Sequence, residues 1–378
     1  MIKWLFKYGA VIFLFNSILL SIESTYFIGG QIFLALMGIF LFVLFINPKQ
    51  IKSIVFHRAF SFLLIINLLN LLYFILFHSI SDYNAIKYLM ARGVQFSIIS
   101  ASIYFNYDYY KYKFFNNLVY VVFGIVIIGL VINPSLFSGR YSGIIWNPNM
   151  FSSLVIIAFS IHFLKYEKRT HFDYVILFTL LISALASGSR GSLVAIILVF
   201  LLKYGFTLKN IIYGFIGLIV SLIILSINLE TSVNRFAENS MFNDRILQFE
   251  YAYLSIKEKL ITGYGLDKYA YIDKSLVPIY LKDKIIGAHN GYLAILAQYG
   301  IVFGSVILFL IFRKSLQAFS YFKNKKSFER VYLFITLYTL IASIYESLMT
   351  GINEFHTILF WFSLAILSYS KFKEEYEV

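Results

Sequence analysis

Apolar runs about twenty residues long, separated by short polar connections, recur along the whole sequence. A helix that crosses a bilayer needs roughly 20 mostly apolar residues, because each adds 1.5 Å against a hydrocarbon core of about 30 Å. Twelve runs meet or approach that length: approximately 4–22, 26–46, 59–80, 85–106, 114–133, 148–164, 174–188, 191–204, 211–228, 291–312, 331–350 and 357–370. With 60% of residues apolar and 13% charged, a soluble domain would lack the polar skin it needs. The same balance excludes a disordered chain, a coiled coil and a nucleic-acid-binding module, despite a net charge of +13. The expected fold is all-α: one polytopic transmembrane bundle of about twelve helices over residues 1–378. Without cysteine there is no disulfide, thiolate nucleophile or cysteine metal site.

Lysine and arginine set the orientation, because cytoplasmic connections carry the excess. If the N-terminus lies inside, twenty of them fall in the inside set, from Lys3 and Lys7 to Lys371 and Lys373. Only Lys87, Arg140 and Arg190 fall in short outside loops. Both termini are therefore expected in the cytoplasm. The first run lacks an Ala-x-Ala site and reads as an uncleaved anchor.

Residues 229–290 break the pattern of tight connections. They form a long extracytoplasmic loop with eight basic and eight acidic residues. Within it, Asp244–Leu260 reads as an amphipathic helix, with Ile246, Phe249, Tyr253, Ile256 and Leu260 at helical spacing. Such a helix can lie on the membrane surface as a lid.

Three polar clusters fall on the outer side. Arg140, Asn147 and Asn149 surround a turn at Pro148, where an asparagine can cap the next helix and Arg140 can hold an anion beside Trp146. Ser187-Gly-Ser189-Arg190-Gly-Ser192 joins two short helices and leaves backbone N–H groups at a helix start, which suits a phosphate. His289-Asn290 opens a third helix, where the dipole disfavours imidazolium and a neutral ring can act as a base. His78 and His356 read as interfacial anchors. Arg92 and Glu346, at similar depth, are expected to pair.

At these clusters the sequence resembles the O-antigen ligase and Wzy-type polysaccharide polymerase superfamily. The resemblance runs from about Arg140 to Gly304 and rests on Arg140…Gly143…Asn147-Pro-Asn149, Ser-Arg190-Gly, Arg245 heading the lid helix, Gly263-Tyr-Gly265, and His289-Asn290 with nine residues before Gly300. Phe303 stands where relatives often have a small residue, and no proline precedes Gly263. The resemblance implies a metal-independent, inverting glycosyl transfer on the outer face, with a glycan on undecaprenyl pyrophosphate as donor and no cofactor. His289 would be the general base, with Arg190 and Arg245 on the pyrophosphate. Arg140, Asn147, Asn149, Ser189 and Asn290 would contact phosphate or sugar. Partners would be the lipid-linked oligosaccharide, the bilayer, and the flippase and chain-length regulator of the same pathway. A surface-polysaccharide polymerase for O-antigen, capsule or exopolysaccharide is the leading expectation. A ligase of the same fold stands second, and a lipid-linked oligosaccharide flippase or other transporter stands third.

Overall fold

The computed structural model describes residues 2–137, 140–165, 169–205, 243–267, 289–325 and 327–376, with short helical pieces between 207 and 219. Among these residues regular structure is helical, apart from one antiparallel bridge between Ile22 and Ile145. In chain order the helices are α1 (Ile2–Leu19), α2 (Tyr26–Ile46), α3 (Pro48–Val55), α4 (Ser61–Phe77), α5 (Tyr83–Tyr112), α6 (Phe114–Ile132) and α7 (Pro148–Leu164). They continue with α8 (His171–Ala186), α9 (Arg190–Tyr204), α10 (Asn243–Glu258), α11 (Gly291–Phe322), α12 (Glu329–Ala342) and α13 (Phe355–Tyr376).

Four helical stretches are long and apolar enough to span a bilayer: Glu23–Ile46, Arg58–Phe77, Phe114–Ile132 and Gly291–Phe322. Trp4–Leu19, Pro148–Leu164 and His171–Ala186 are shorter apolar helices. The chain is an all-α, multi-pass membrane bundle. Its helices sort by what surrounds them. α13 buries nearly every side chain from Phe355 to Tyr369, whereas α2 exposes Phe27, Phe42 and Phe45. An outer helix with that surface is at home only in lipid.

The connections fall into two sets. One end carries the N-terminus, the α2–α4, α5–α6 and α11–α12 turns, and Tyr376; there Tyr110 donates to the Lys7 carbonyl (3.0 Å) and Tyr321 to Glu374 (2.8 Å). The opposite end gathers the connections that hold Arg140, Arg190, His289 and Glu346.

Two expectations change in detail. The run 331–350 is helical only as α12, to Ala342, and the chain then folds into turns as far as Glu354. Most of the run 211–228, and loop residues 229–242 and 268–288, lie outside the described residues. Finally, α11 is not continuous: Gly300 has φ +69° and breaks it after nine residues.

That break has a clear partner. The segment after α10 lies along it: Tyr264 N–H donates to the Ala297 carbonyl (2.8 Å), Gly265 N–H to Gln298 (3.0 Å), and Ile301 N–H to Leu260 (2.7 Å). A Cβ on Gly263 would strike the Gln298 carbonyl, and one on Gly300 would strike that of Ile261. Two backbones this close leave room only for glycine. Tyr73 donates to the Thr262 and Gln298 carbonyls and closes the clasp from α4. His78 is more than an interfacial anchor. Its Nε2 accepts the Leu266 N–H (3.0 Å), and its Nδ1 lies 2.7 Å from Asp82.

Candidate active site

The four residues Ser343–Glu346, where α12 ends, form the hub of the site. Gly291 N–H donates to the Ser343 carbonyl (2.7 Å), and Asn290 Nδ2 donates to Ile344 (2.8 Å). A Cβ on Gly191 would lie 2.9 Å from the Tyr345 hydroxyl, so the first turn of α9 rests on the same turn. Glu346 then reaches two of the polar clusters. Its Oε1 accepts from Asn149 Nδ2 (3.3 Å), and its Oε2 lies 3.3 Å from His289 Nδ1. Arg140 Nη2 donates to Asn149 Oδ1 (2.5 Å), completing a chain from Arg140 through Asn149 and Glu346 to His289. Tyr141 N–H bonds the Ala186 carbonyl (3.1 Å), and Ser152 bonds Ser192, which ties the Arg140 loop to the Arg190 turn.

Glu346 therefore does not meet Arg92. Arg92 is buried and bonds Gln95 Oε1 (2.7 Å), the Tyr88 hydroxyl (3.1 Å) and the Thr350 carbonyl, within the field of the Glu354 carboxyl. The expected ion pair assumed a helix running to residue 350. Because α12 stops at Ala342, Glu346 turns to the rim and the freed carbonyl of Thr350 serves Arg92.

His289 sits in an unusual backbone conformation, φ +41°, which few residues other than glycine adopt. Such a conformation costs on the order of 1–3 kcal/mol and persists only where neighbours enforce it. Here Asn290 does so: its Oδ1 caps α11 by accepting from Tyr292 N–H (2.9 Å) and Leu293 N–H (3.0 Å). The ring is 32% exposed, and with Nδ1–H donating to Glu346 its Nε2 keeps a lone pair and no partner among the described residues. An imidazole oriented by a carboxylate, with the far nitrogen open, has the geometry of a general base. His356 differs: it is buried, and its Nδ1 has no partner.

Not every candidate has the same freedom to meet a substrate. Asn147 Oδ1 accepts from Asn149 N–H (2.8 Å) at the start of α7, and Asn290 caps α11, so both have structural duties. Ser189 is buried at the start of α9, and its own hydroxyl makes no cap bond there. Arg190 is the first residue of α9 and Trp146 stands 68% exposed beside Asn147.

Arg245 is described by its backbone alone, in the first turn of α10. Ala252 packs against Ala294, and Tyr251 and Ile256 against Ala297, while the following residues meet 297–301. α10 thus runs parallel to the first half of α11, which puts the backbone of Arg245 at the end that bears His289. Gln248, Tyr251, Ala252, Ser255 and Ile256 are buried, whereas Ile246, Tyr253 and Leu260 are exposed. Small residues let the two helices approach closely, as they do inside membranes, and the apolar stripe is left for the bilayer surface.

Residues 175–309 match the family model described as O-antigen ligase. The match supports a relation to the O-antigen ligase/Wzy-type superfamily over that segment. It begins within α8 and ends within α11, so it contains Arg190, Arg245, the Gly263–Gly300 clasp and His289. Arg140 and Asn149 precede it and Glu346 follows it. No curated protein matches the chain. On a multi-pass membrane bundle, that match supports membrane glycan processing of the ligase or polymerase type. Sequence reasoning missed Glu346 as a site residue. The signal was available, since an acidic residue inside an apolar run marks a function, but the wrong partner was assigned to it.

Proposed function

We propose that this protein is a polymerase that joins undecaprenyl-pyrophosphate-linked repeat units into a surface polysaccharide. His289 Nε2 takes the proton of the acceptor hydroxyl. The freed oxygen attacks the anomeric carbon from the face opposite the leaving group, and the bond from that carbon to the pyrophosphate breaks with its electron pair. The anomeric centre is inverted. Arg190, at the start of α9, and Arg245 hold the pyrophosphate and meet the charge it gains. Arg140 and Asn149 carry the substrate side of the same rim, and Glu346 holds the ring. A pyrophosphate is already a good leaving group, so cationic side chains can replace a metal. In this reading the site faces outward and both termini face the cytoplasm, as the lysine and arginine bias predicts.

The observation that carries the proposal is the His289–Glu346 pair beside Arg140 and the start of α9. The description of the matched family supports a second reading, transfer of the glycan to a different acceptor. Incubating the purified protein with one lipid-linked repeat unit separates them. A ladder of products, undiminished by excess chelator, is expected. Product that forms only with a foreign acceptor means a ligase, and activity lost to the chelator and restored by a divalent ion overturns the metal-free mechanism.

A further inference from the structure

We propose that the opposite end of the bundle holds the phosphate of an anionic phospholipid headgroup. A cavity of about 200 Å³ opens there, walled by Arg58 ahead of α4, Lys314 of α11, and Lys371 and Glu375 of α13. Three cations thus face one carboxylate. Lys371 lies 3.5 Å from Glu375 and does not need a further partner. Arg58 and Lys314 do. The Arg58 guanidinium lies over the Tyr376 ring at 5.0 Å and the Lys314 ammonium near the Phe62 ring at 5.3 Å. Among the described residues neither has an oxygen acceptor. A guanidinium and an ammonium that share a cavity without an acceptor suit an anion, and the volume accommodates a phosphate with part of its headgroup.

The surroundings select a lipid over a free ion. Ile65 and Leu68 of α4 and Phe309, Phe312 and Leu316 of α11 are exposed on the helices that flank the cavity. An acyl chain attached to the bound phosphate can lie against them. Basic pockets between transmembrane helices on the cytoplasmic side are suited to such headgroups, and the charge bias assigns this end to the cytoplasm. The site lies at the far end of the bundle from His289 and does not depend on the transfer reaction.

The test is native mass spectrometry of the full chain in detergent, titrated with phosphatidylglycerol and, separately, phosphatidylcholine of the same chains. One phosphatidylglycerol should be retained in preference to phosphatidylcholine. Each cation near an anionic lipid is worth about a fivefold change in affinity, so Arg58→Ala with Lys314→Ala should weaken retention roughly 20-fold. Glu375→Gln removes, from an exposed position, the only carboxylate among the described residues that line the cavity and should tighten retention roughly fivefold, a gain that misfolding cannot mimic. Phosphatidylglycerol retention unchanged in both variants would overturn the site. Inorganic phosphate binding as tightly as the lipid would overturn the lipid reading.

Discussion

At the scale of single residues the decisive contact is Glu346 on His289 Nδ1 (3.3 Å), because it selects which ring nitrogen is free to accept a proton. Glu346→Gln keeps the size and an oxygen acceptor but removes the charge that stabilises the imidazolium formed during transfer. Initial rates of glycan transfer should fall at least tenfold, without loss of folded protein. An unchanged rate would reduce Glu346 to a structural role. The residues with strong local chemistry were legible without coordinates: His289, Arg190 and the Asn147-Pro-Asn149 turn all stand at the site end. The Arg92–Glu346 pairing was not, because depth counted along a run says nothing about where a helix stops. Asn290 was read as a sugar contact, yet its amide oxygen is already shared between two backbone N–H groups.

At the scale of elements α10 and the segment after it are anchored on α11 by backbone bonds as well as by side-chain packing. The Gly263–Gly300 contact explains why the sequence keeps glycine at those two places, although spacing alone could not show that they meet. α10 was legible as a helix because its ends and its composition agree, but the residues it packs on α11 were not. Period counting favours the large residues, and close packing on Ala294 and Ala297 favours the small ones. His78 latches this arrangement through a neutral Nε2. Glutamine can place an acceptor near the same point and alanine cannot. His78→Ala leaves the Leu266 N–H unsatisfied at a cost of about 1–3 kcal/mol, so its amide should exchange with solvent roughly five- to a hundredfold faster. His78→Gln should protect it. Equal exchange in all three proteins would remove the latch.

At the scale of the whole molecule, the bundle was the most legible feature, since lipid demands long apolar runs whatever the details of packing. The short pair α8 and α9 was also visible, because two glycines and an arginine interrupt the run there. What composition could not convey is that the turns after α12 draw three distant clusters to one rim. The orientation of that rim can be checked directly, because the chain contains no cysteine. A membrane-impermeant maleimide should label Ser24→Cys, between α1 and α2, in intact cells with the outer barrier removed. It should label Ser53→Cys, in α3, only after permeabilisation, and the reverse pattern would invert the topology. The most direct measurement of the account is the initial rate of transfer by purified His289→Ala on a lipid-linked repeat unit. A positioned general base contributes about 10²–10⁴-fold, so a loss of that size is expected with inserted, folded protein. A rate within twofold of the wild type would contradict the assignment of His289 as the base.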